Sequence, residues 1–382
     1  MEGTSELSQF TIVPIIKPVG NYCNLRCDYC FLQGDKQAQP RMMDPQLLAD
    51  IIEQYAQIAG DRLRFIWHGG EPLLAGRAFY ENVLHLQRRY ARQDGRQVIN
   101  QLQTNATLID KGWTGLIKKH KFRIGVSLDG NAGNHNRHRR TIDGIGSFGT
   151  TMHGIVTLKQ MGVPFGVIQV LTKGSHEYLR EDFRFFTREL GLKRWALNPY
   201  CNPDGDGLSA ATLEPAEFAV YLLELLDLWL AADSEQLHIR EIDNFFAGAL
   251  GRRPKLCSYN GSCAGYLCID WDGKVYPCDR FTGDPQYLLG DLARESLGAI
   301  LESAAWHNWL ALVKPLPAEC RDCKWVQACH NGCADHRVGG PGGKYYYCAT
   351  RKQLFARAAE LVDDYLKRTN LETNNQEENN DR

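Results

Sequence analysis

From residue 11 to about residue 200, short apolar runs alternate with longer amphipathic ones. The run "TIVPIIKP" (11–18) predicts a strand. "DPQLLADIIEQYAQIAG" (44–60) predicts a helix, with Asp44 as N-cap, Pro45 at the first helical position, Leu47, Leu48, Ile51, Ile52 and Tyr55 on one face, and Gly60 at its end. Further strands are expected at "LRFIWH", "VINQLQTN", "FRIGVSLDG", "PFGVIQVLT" and "KRWALNP". Helical patterns at "FYENVLHLQRRYARQ", "LIDKGWTGLIKKHK", "SFGTTMHGIVTLKQMG" and "EYLREDFRFFTRELG" separate them. Strands alternating with helices imply a parallel sheet wound by right-handed crossovers. Six strands fall short of the eight in a closed barrel. The expected class is therefore α/β, with a partial (β/α)6 barrel.

The pattern changes after residue 213. Residues 214–250 read as two bridging helices whose dense apolar positions serve packing. From 251 to 348 the periodicity fades while Gly, Pro and Cys rise, as in a loop-rich domain held by metal. A last amphipathic helix is expected over 349–367, followed by a polar, disordered tail at 368–382. With residues 1–10 as an N-terminal extension and 11–213 as the barrel, these segments complete the expected organisation.

The chain has 382 residues, 43% of them hydrophobic, which is enough for a large domain and a smaller one. Its formal net charge of −1 provides no global field for nucleic acid or for an anionic membrane, and neither is expected as a partner. The basic stretch "NHNRHRR" (134–140) is local and reads as a solvated loop or as a clamp for a substrate carboxylate. No apolar run reaches membrane-spanning length, and the start of the chain lacks the pattern of a secretory signal. A cytoplasmic location is expected.

Thirteen cysteines in a reducing compartment argue for metal binding over disulfides. "YCNLRCDYCF" (22–31) sets Cys23, Cys27 and Cys30 close together. Soft-metal sites normally close with four thiolates, so three leave one position open for a small molecule. A second group lies at Cys257, Cys263, Cys278, Cys320, Cys323, Cys329, Cys333 and Cys348. By residue type alone this group suits two structural zincs as well as two iron–sulfur clusters. Cys201 and Cys268 are left over and read as buried small apolar residues. The three-cysteine loop, "HGGEP" (68–72), "QTN" (103–105) and "SLDG" (127–130) all fall at carboxyl ends of expected strands, where such sheets bind ligands.

These motifs resemble the radical S-adenosylmethionine (SAM) superfamily. The resemblance implies that Cys23, Cys27 and Cys30 hold three irons of a [4Fe-4S] cluster, whose fourth iron binds the methionine moiety of SAM. It implies that Gly69 and Gly70 let backbone approach the cosubstrate closely, that Glu71 accepts from the methionine ammonium, that Ser127 and Asp129 meet the ribose hydroxyls, and that Tyr29 lies against adenine. Taken alone, the same residues suit an ordinary turn, a helix cap and core packing.

The cysteine-rich end resembles the SPASM domain of peptide-modifying members. That likeness implies one auxiliary [4Fe-4S] cluster on Cys257, Cys263, Cys278 and Cys333, and another on Cys320, Cys323, Cys329 and Cys348, for three clusters in all. Across nearly the whole chain the sequence is similar to anaerobic sulfatase-maturating enzymes, which oxidise a cysteine or serine of a client sulfatase to formylglycine. "VYPCDRF" places Asp279 where they carry a general base, although a surface carboxylate is its plain reading. The likeness is shared with maturases that cross-link ribosomally made precursor peptides into cyclophanes. Either reading implies a polypeptide substrate and a flavodoxin or ferredoxin-type electron donor. A non-catalytic iron–sulfur or zinc module, which needs neither an open iron nor a barrel, is the rival of another class.

Overall fold

The alternation along the chain is realised as a parallel sheet. The computed structural model describes residues 12–32, 40–202, 211–232 and 236–380. The chain divides into two compact units: residues up to 171, 180–198 and 263–314 form the first, and 172–179, 199–262 and 315 onward form the second.

In the first unit, strands β1 (Val13–Ile16), β2 (Arg62–Trp67), β3 (Gln97–Thr104), β4 (Arg123–Ser127), β5 (Phe165–Leu171) and β6 (Arg194–Pro199) are the expected six. Between them run α1 (Pro45–Ile58), α2 (Gly76–Gln93), α3 (Lys111–Lys119), α4 (Ala132–His138), α5 (Phe148–Gln160) and α6 (Leu179–Arg184). The α1 helix starts as its residues dictate, because Asp44 Oδ1 accepts from Gln46 N at 2.8 Å and Leu47 N at 3.3 Å, with Pro45 opening the first turn. Leu48, Ile51, Ile52 and Tyr55 are buried as the periodicity requires, while Leu47 is half-buried. In β2 the alternation sends Leu63, Phe65 and Trp67 into the core.

The second unit contributes α7 (Pro215–Ala231), β7 (His238–Ile239), α8 (Arg240–Ala249) and α9 (Cys257–Asn260). The chain then supplies the first unit with β8 (Tyr266–Ile269), β9 (Lys274–Tyr276), β10 (Gly290–Asp291), α10 (Leu297–Glu302) and α11 (Ala304–Val313). The rest belongs to the second unit: α12 (Ala318–Arg321), α13 (Val326–Cys329), the β11–β12 pair (Arg337–Val338 with Lys344–Tyr345) and α14 (Cys348–Asn380). There α7 and α8 pack on α14, with Phe355 stacked 5.3 Å from Trp325 and edge-on to Phe245.

Within the first unit the strand order is β10-β9-β8-β1-β2-β3-β4-β5-β6. β1 pairs in parallel with β2 on one side and with β8 on the other, in a register that sets Val13 against Tyr266 and Ile16 against Ile269. The expected boundary at 251 therefore does not coincide with the compact units, since residues 263–314 belong with the barrel. The reason is β8, a short apolar run "YLCI" inside a Gly- and Cys-rich stretch, too short for its periodicity to declare it. Cys268, in β8, is fully buried against Ile15 and Tyr276, as a small apolar residue would be.

Two further differences concern the basic stretch and the tail. "NHNRHRR" forms helix α4 and its cap, with Asn131 accepting from Asn134 N, and Arg139 is buried, not solvated. The final helix continues to Asn380, past the expected end at 367. The expected N-terminal extension at 1–10 lies outside the described residues. Among those described, no helix is long and apolar enough to cross a membrane.

Candidate active site

The cysteine loop leaves the carboxyl end of β1 and is tied down by backbone and side chains together. Arg26 N donates to Arg140 O at 2.7 Å, and Asp28 N donates to His138 O at 3.3 Å. Asn105, just past β3, donates from Nδ2 to Asn24 Oδ1 at 2.9 Å and reaches Cys23 Sγ at 3.8 Å. Leu25 N also points at Cys23 Sγ, 3.3 Å away. The three thiols lie near enough to influence one another's ionisation. Burial pushes the Cys27 thiol up to about 12, and it pushes Cys23 higher still. Three soft donors, two of them with thiolates disfavoured by burial, suit a cationic partner, and an iron–sulfur cluster is a fitting one.

The HGGEP loop follows β2 and presses on this loop. Gly69 has φ +112°, and a Cβ there would lie 2.6 Å from Gly20 O. At Gly70 a Cβ would lie 2.0 Å from Tyr22 O and 2.4 Å from its carbonyl carbon. Only glycine fits this approach, which the bonds Gly70 N to Gly20 O (2.8 Å) and Glu71 N to Tyr22 O (2.9 Å) hold in place. Glu71 is fully buried. Its Oε1 accepts from Leu73 N at 3.0 Å and Thr104 Oγ1 at 2.8 Å, and its Oε2 accepts from Asn105 N at 2.8 Å. Burial pushes its pKa up to about 7 against these three hydrogen bonds. A carboxylate offers about four acceptor positions, so about one remains for an incoming ammonium.

Ser127 closes β4 and accepts from Gln103 Nε2 at 2.9 Å, leaving its own proton to donate. Asp129, which the resemblance assigns to the ribose, also has a structural part. It is 1% exposed, and its carboxylate accepts from three protein donors: the Tyr29 hydroxyl and Arg139 Nε (2.8 Å) at Oδ2, and Val170 N (2.9 Å) at Oδ1, which by the same count leaves about one acceptor position. Arg139 also lies over the Tyr29 ring, 5.5 Å from its centroid. Asp129 therefore anchors the cysteine loop through Tyr29. Tyr29 is in turn a buried strut whose ring packs on that of His138, 5.4 Å between centroids.

Asp279 follows Cys278 after β9 and is partly exposed. Its Oδ1 accepts from Cys278 Sγ at 3.0 Å, and its Oδ2 stands 3.6 Å from His68 Nδ1. That His68 atom is buried without a hydrogen-bond partner. Burial raises the Asp279 pKa, but His68, Arg280, the Cys278 bond and Lys17 outweigh it and hold the carboxyl below its usual range. Lys17 is itself fully buried, with Nζ on Asn21 Oδ1 at 2.9 Å. His68, Asn105 and Arg139 lie in the HGGEP, QTN and NHNRHRR stretches without being singled out there as site residues, and Lys17 lies outside every motif. His68 was signalled by its place before the two glycines, and Lys17 by a lone charge in an apolar strand.

In the second unit Cys320, Cys323, Cys329 and Cys348 line one cavity with Trp325, Asn331 and Arg351. Burial raises the pKa of Cys320, as do the neighbouring thiols Cys348, Cys329 and Cys323. Four thiols gathered on one cavity fit a cluster. Cys257 and Cys333 belong to the second unit, and Cys263 and Cys278 to the first. Among the described residues no three His, Cys, Asp or Glu side chains converge on a single-ion site. A four-iron cluster takes each thiolate on a different iron.

Comparison with known proteins agrees with this arrangement. The radical SAM superfamily model matches residues 18–186, and that of the SPASM iron–sulfur cluster-binding domain matches 257–324. A serine-type anaerobic sulfatase-maturating enzyme of Klebsiella aerogenes is 30% identical over 328 residues, spanning 84% of this chain and 79% of that protein. A cysteine-type enzyme of Clostridium perfringens is 28% identical over 355 residues, spanning 90% and 95%. The solved structure of native anSMEcpe with bound AdoMet matches with a TM-score of 0.85 at 27% identity, covering 93% of this chain and 99% of that one. Its complex with AdoMet and the Cp18Cys peptide gives 0.83 at the same identity, covering 92% and 99%. The cysteine loop, the glycine approach and the near-full-length likeness lead to one conclusion: the chain belongs to the anaerobic sulfatase-maturating enzymes, radical SAM proteins with a SPASM domain.

Proposed function

We propose that this enzyme oxidises a cysteine or serine side chain of a polypeptide, a sulfatase in the best-supported case, to formylglycine. The observation that carries the reading is the likeness over nearly the whole chain to both the serine- and the cysteine-type enzymes. Cys23, Cys27 and Cys30 would hold a [4Fe-4S] cluster that, with SAM, would supply radical abstraction of a hydrogen atom from the substrate carbon. Glu71 holds the glycine loop and offers its remaining acceptor position to the methionine ammonium. Gly69 and Gly70 give the cosubstrate backbone to lie on, and the Ser127 hydroxyl donates to the ribose. Tyr29 and Asp129 fix the cysteine loop, and the family likeness further assigns Tyr29 to the adenine and Asp129 to the ribose hydroxyls.

Removing a hydrogen atom leaves one proton and one electron still to depart, the electron to an auxiliary cluster, before the carbon is an aldehyde from serine or a thioaldehyde from cysteine. The thioaldehyde then takes up water and releases hydrogen sulfide to become the aldehyde. Asp279 is assigned the proton, taken at Oδ2 from the substrate hydroxyl or thiol. As an aspartate carboxylate it is ionised and ready to accept at neutral pH. Two auxiliary clusters are assigned to the remaining cysteines, one on Cys320, Cys323, Cys329 and Cys348 and the other, following the sequence pattern, on Cys257, Cys263, Cys278 and Cys333. A flavodoxin or ferredoxin-type protein is the proposed reductant. The test incubates reduced holoenzyme and SAM with sulfatase-motif peptides carrying Cys or Ser at the target position. Mass spectrometry should find the aldehyde residue. Turnover of a precursor peptide to a cross-link, with no aldehyde from either sulfatase peptide, would replace this reading with peptide cyclisation.

A further inference from the structure

Beside the cavity lined by Cys320, Cys323, Cys329 and Cys348 lies a buried cation that the reaction as described leaves unused. Arg351 is 4% exposed, and its guanidinium sits between two rings, with Cζ 3.7 Å from the centroid of Tyr259 and 4.4 Å from that of Tyr345. Nη1 donates to Ser258 O at 2.5 Å, to Cys329 O at 3.4 Å and to Cys329 Sγ at 3.5 Å, while Nη2 reaches Ser258 Oγ at 3.5 Å. No carboxylate is among these partners. Both tyrosines offer it only a π-face, which carries no countercharge.

The other cations near these thiols are placed differently. Lys344 is exposed and paired with Glu319 at 3.1 Å, and Lys352 is exposed. Solvent screens both, whereas Arg351 acts across a buried path where charge is felt more strongly. Reducing a cluster by one electron adds one negative charge beside this guanidinium. A hydrogen bond to a ligand sulfur and a buried positive charge both favour that more negative state.

We propose that Arg351 raises the reduction potential of the cluster held by Cys320, Cys323, Cys329 and Cys348, making it the more ready acceptor of an electron. The proposal rests on that ligand assignment. Arg351 is thus a positioning residue acting through Cys329, and it does not touch substrate.

The test is an EPR-monitored redox titration of the anaerobically reconstituted holoprotein. The cluster's signal is identified by its loss, together with about four irons, in a Cys320→Ala/Cys323→Ala variant. At a fixed poised potential, Arg351→Met should lower that cluster's reduced-to-oxidised ratio about tenfold, which is ~59 mV for one electron. Arg351→Lys keeps the charge but not the fork toward Cys329 and should give a smaller fall, about threefold. Lys352→Met should change the ratio less than about twofold, because its charge is screened. Where Arg351→Met assembles no cluster, Arg351→Lys decides. An unchanged ratio in iron-replete Arg351 variants, or an equal fall in Lys352→Met, overturns the proposal while leaving the ligands in place. A Cys320→Ala/Cys323→Ala variant that keeps all its iron overturns the ligand assignment, and the proposal with it.

Discussion

The hydroxyl of Tyr29 donates to the carboxylate of Asp129, 100 residues further along the chain, and so ties the loop that carries the three cysteines to the end of β4. Arg139 completes the unit from the other side, 2.8 Å from the same oxygen. Asp129→Asn turns one acceptor into a donor facing donors and leaves a buried guanidinium unpaired, so a loss of about 3–5 kcal/mol is expected in denaturant unfolding. Burial acts to raise the Asp129 pKa, but Arg139, His135 and the bonds from Arg139 and Tyr29 lower it below 3.8. A depressed carboxyl contributes stability above its unfolded pKa and loses it as pH falls through the folded one. Unfolding midpoints taken from pH 6 down to pH 3 should therefore fall more steeply below about 4 in the parent than in Asp129→Asn.

A methyl group at Gly70 would meet the backbone of Tyr22 at 2.0 Å, with no flexible side chain able to give way. Gly70→Ala is expected to push the HGGEP and cysteine loops apart. The reconstituted variant should fail to bind SAM in equilibrium dialysis while its auxiliary iron persists. Normal SAM affinity would show that the two loops tolerate separation.

Glu71 accepts three protein hydrogen bonds, so its replacement reaches beyond the cosubstrate. Glu71→Gln presents an amide N–H to donors and should cost about 1–3 kcal/mol in unfolding, together with weaker SAM binding. An unchanged unfolding midpoint with weakened SAM binding would instead confine Glu71 to the cosubstrate.

Replacing Cys23, Cys27 and Cys30 together with alanine should remove about four of about twelve irons and abolish SAM cleavage. Iron analysis and 5′-deoxyadenosine assay give the readout. A triple variant that still makes 5′-deoxyadenosine contradicts the assignment of the loop.

Asp279→Asn keeps the shape beside His68 but cannot take the substrate proton. The variant should hold its full iron, still make 5′-deoxyadenosine with a sulfatase peptide, and form aldehyde at least about a hundredfold more slowly. Wild-type aldehyde formation would remove Asp279 from the role of base.

Much of this was legible before the fold was seen, for reasons that differ by residue. The six strands announced themselves because each is a run of apolar residues cut off by a helix with its own period, as "LRFIWH" is cut off before α2. Cys23, Cys27 and Cys30 were legible because their thiols have little else to do in such spacing. Arg139 was not, since a charge within "NHNRHRR" is ordinarily solvated, and only the fold brings Asp129 to it. The protein donors to Asp129, drawn from three separate segments, were equally hidden, because only the fold brings them together. β8 was hidden by its brevity, and its partner β1 stands at the far end of the sequence.

That last pairing bears on how the molecule is made. The cysteine loop hangs from β1, and one flank of β1 is covered only by β8, so the ribosome must deliver the chain to residue 269 before that flank is closed. Until then β1 presents a bare edge of unpaired amides and carbonyls, an invitation to wrong partners. A fragment ending at residue 213 would keep the cysteine loop and the glycine approach yet carry that open edge for its whole life. The late-synthesised strand thus acts as a seam, and the motif that is first to emerge is among the last to be secured.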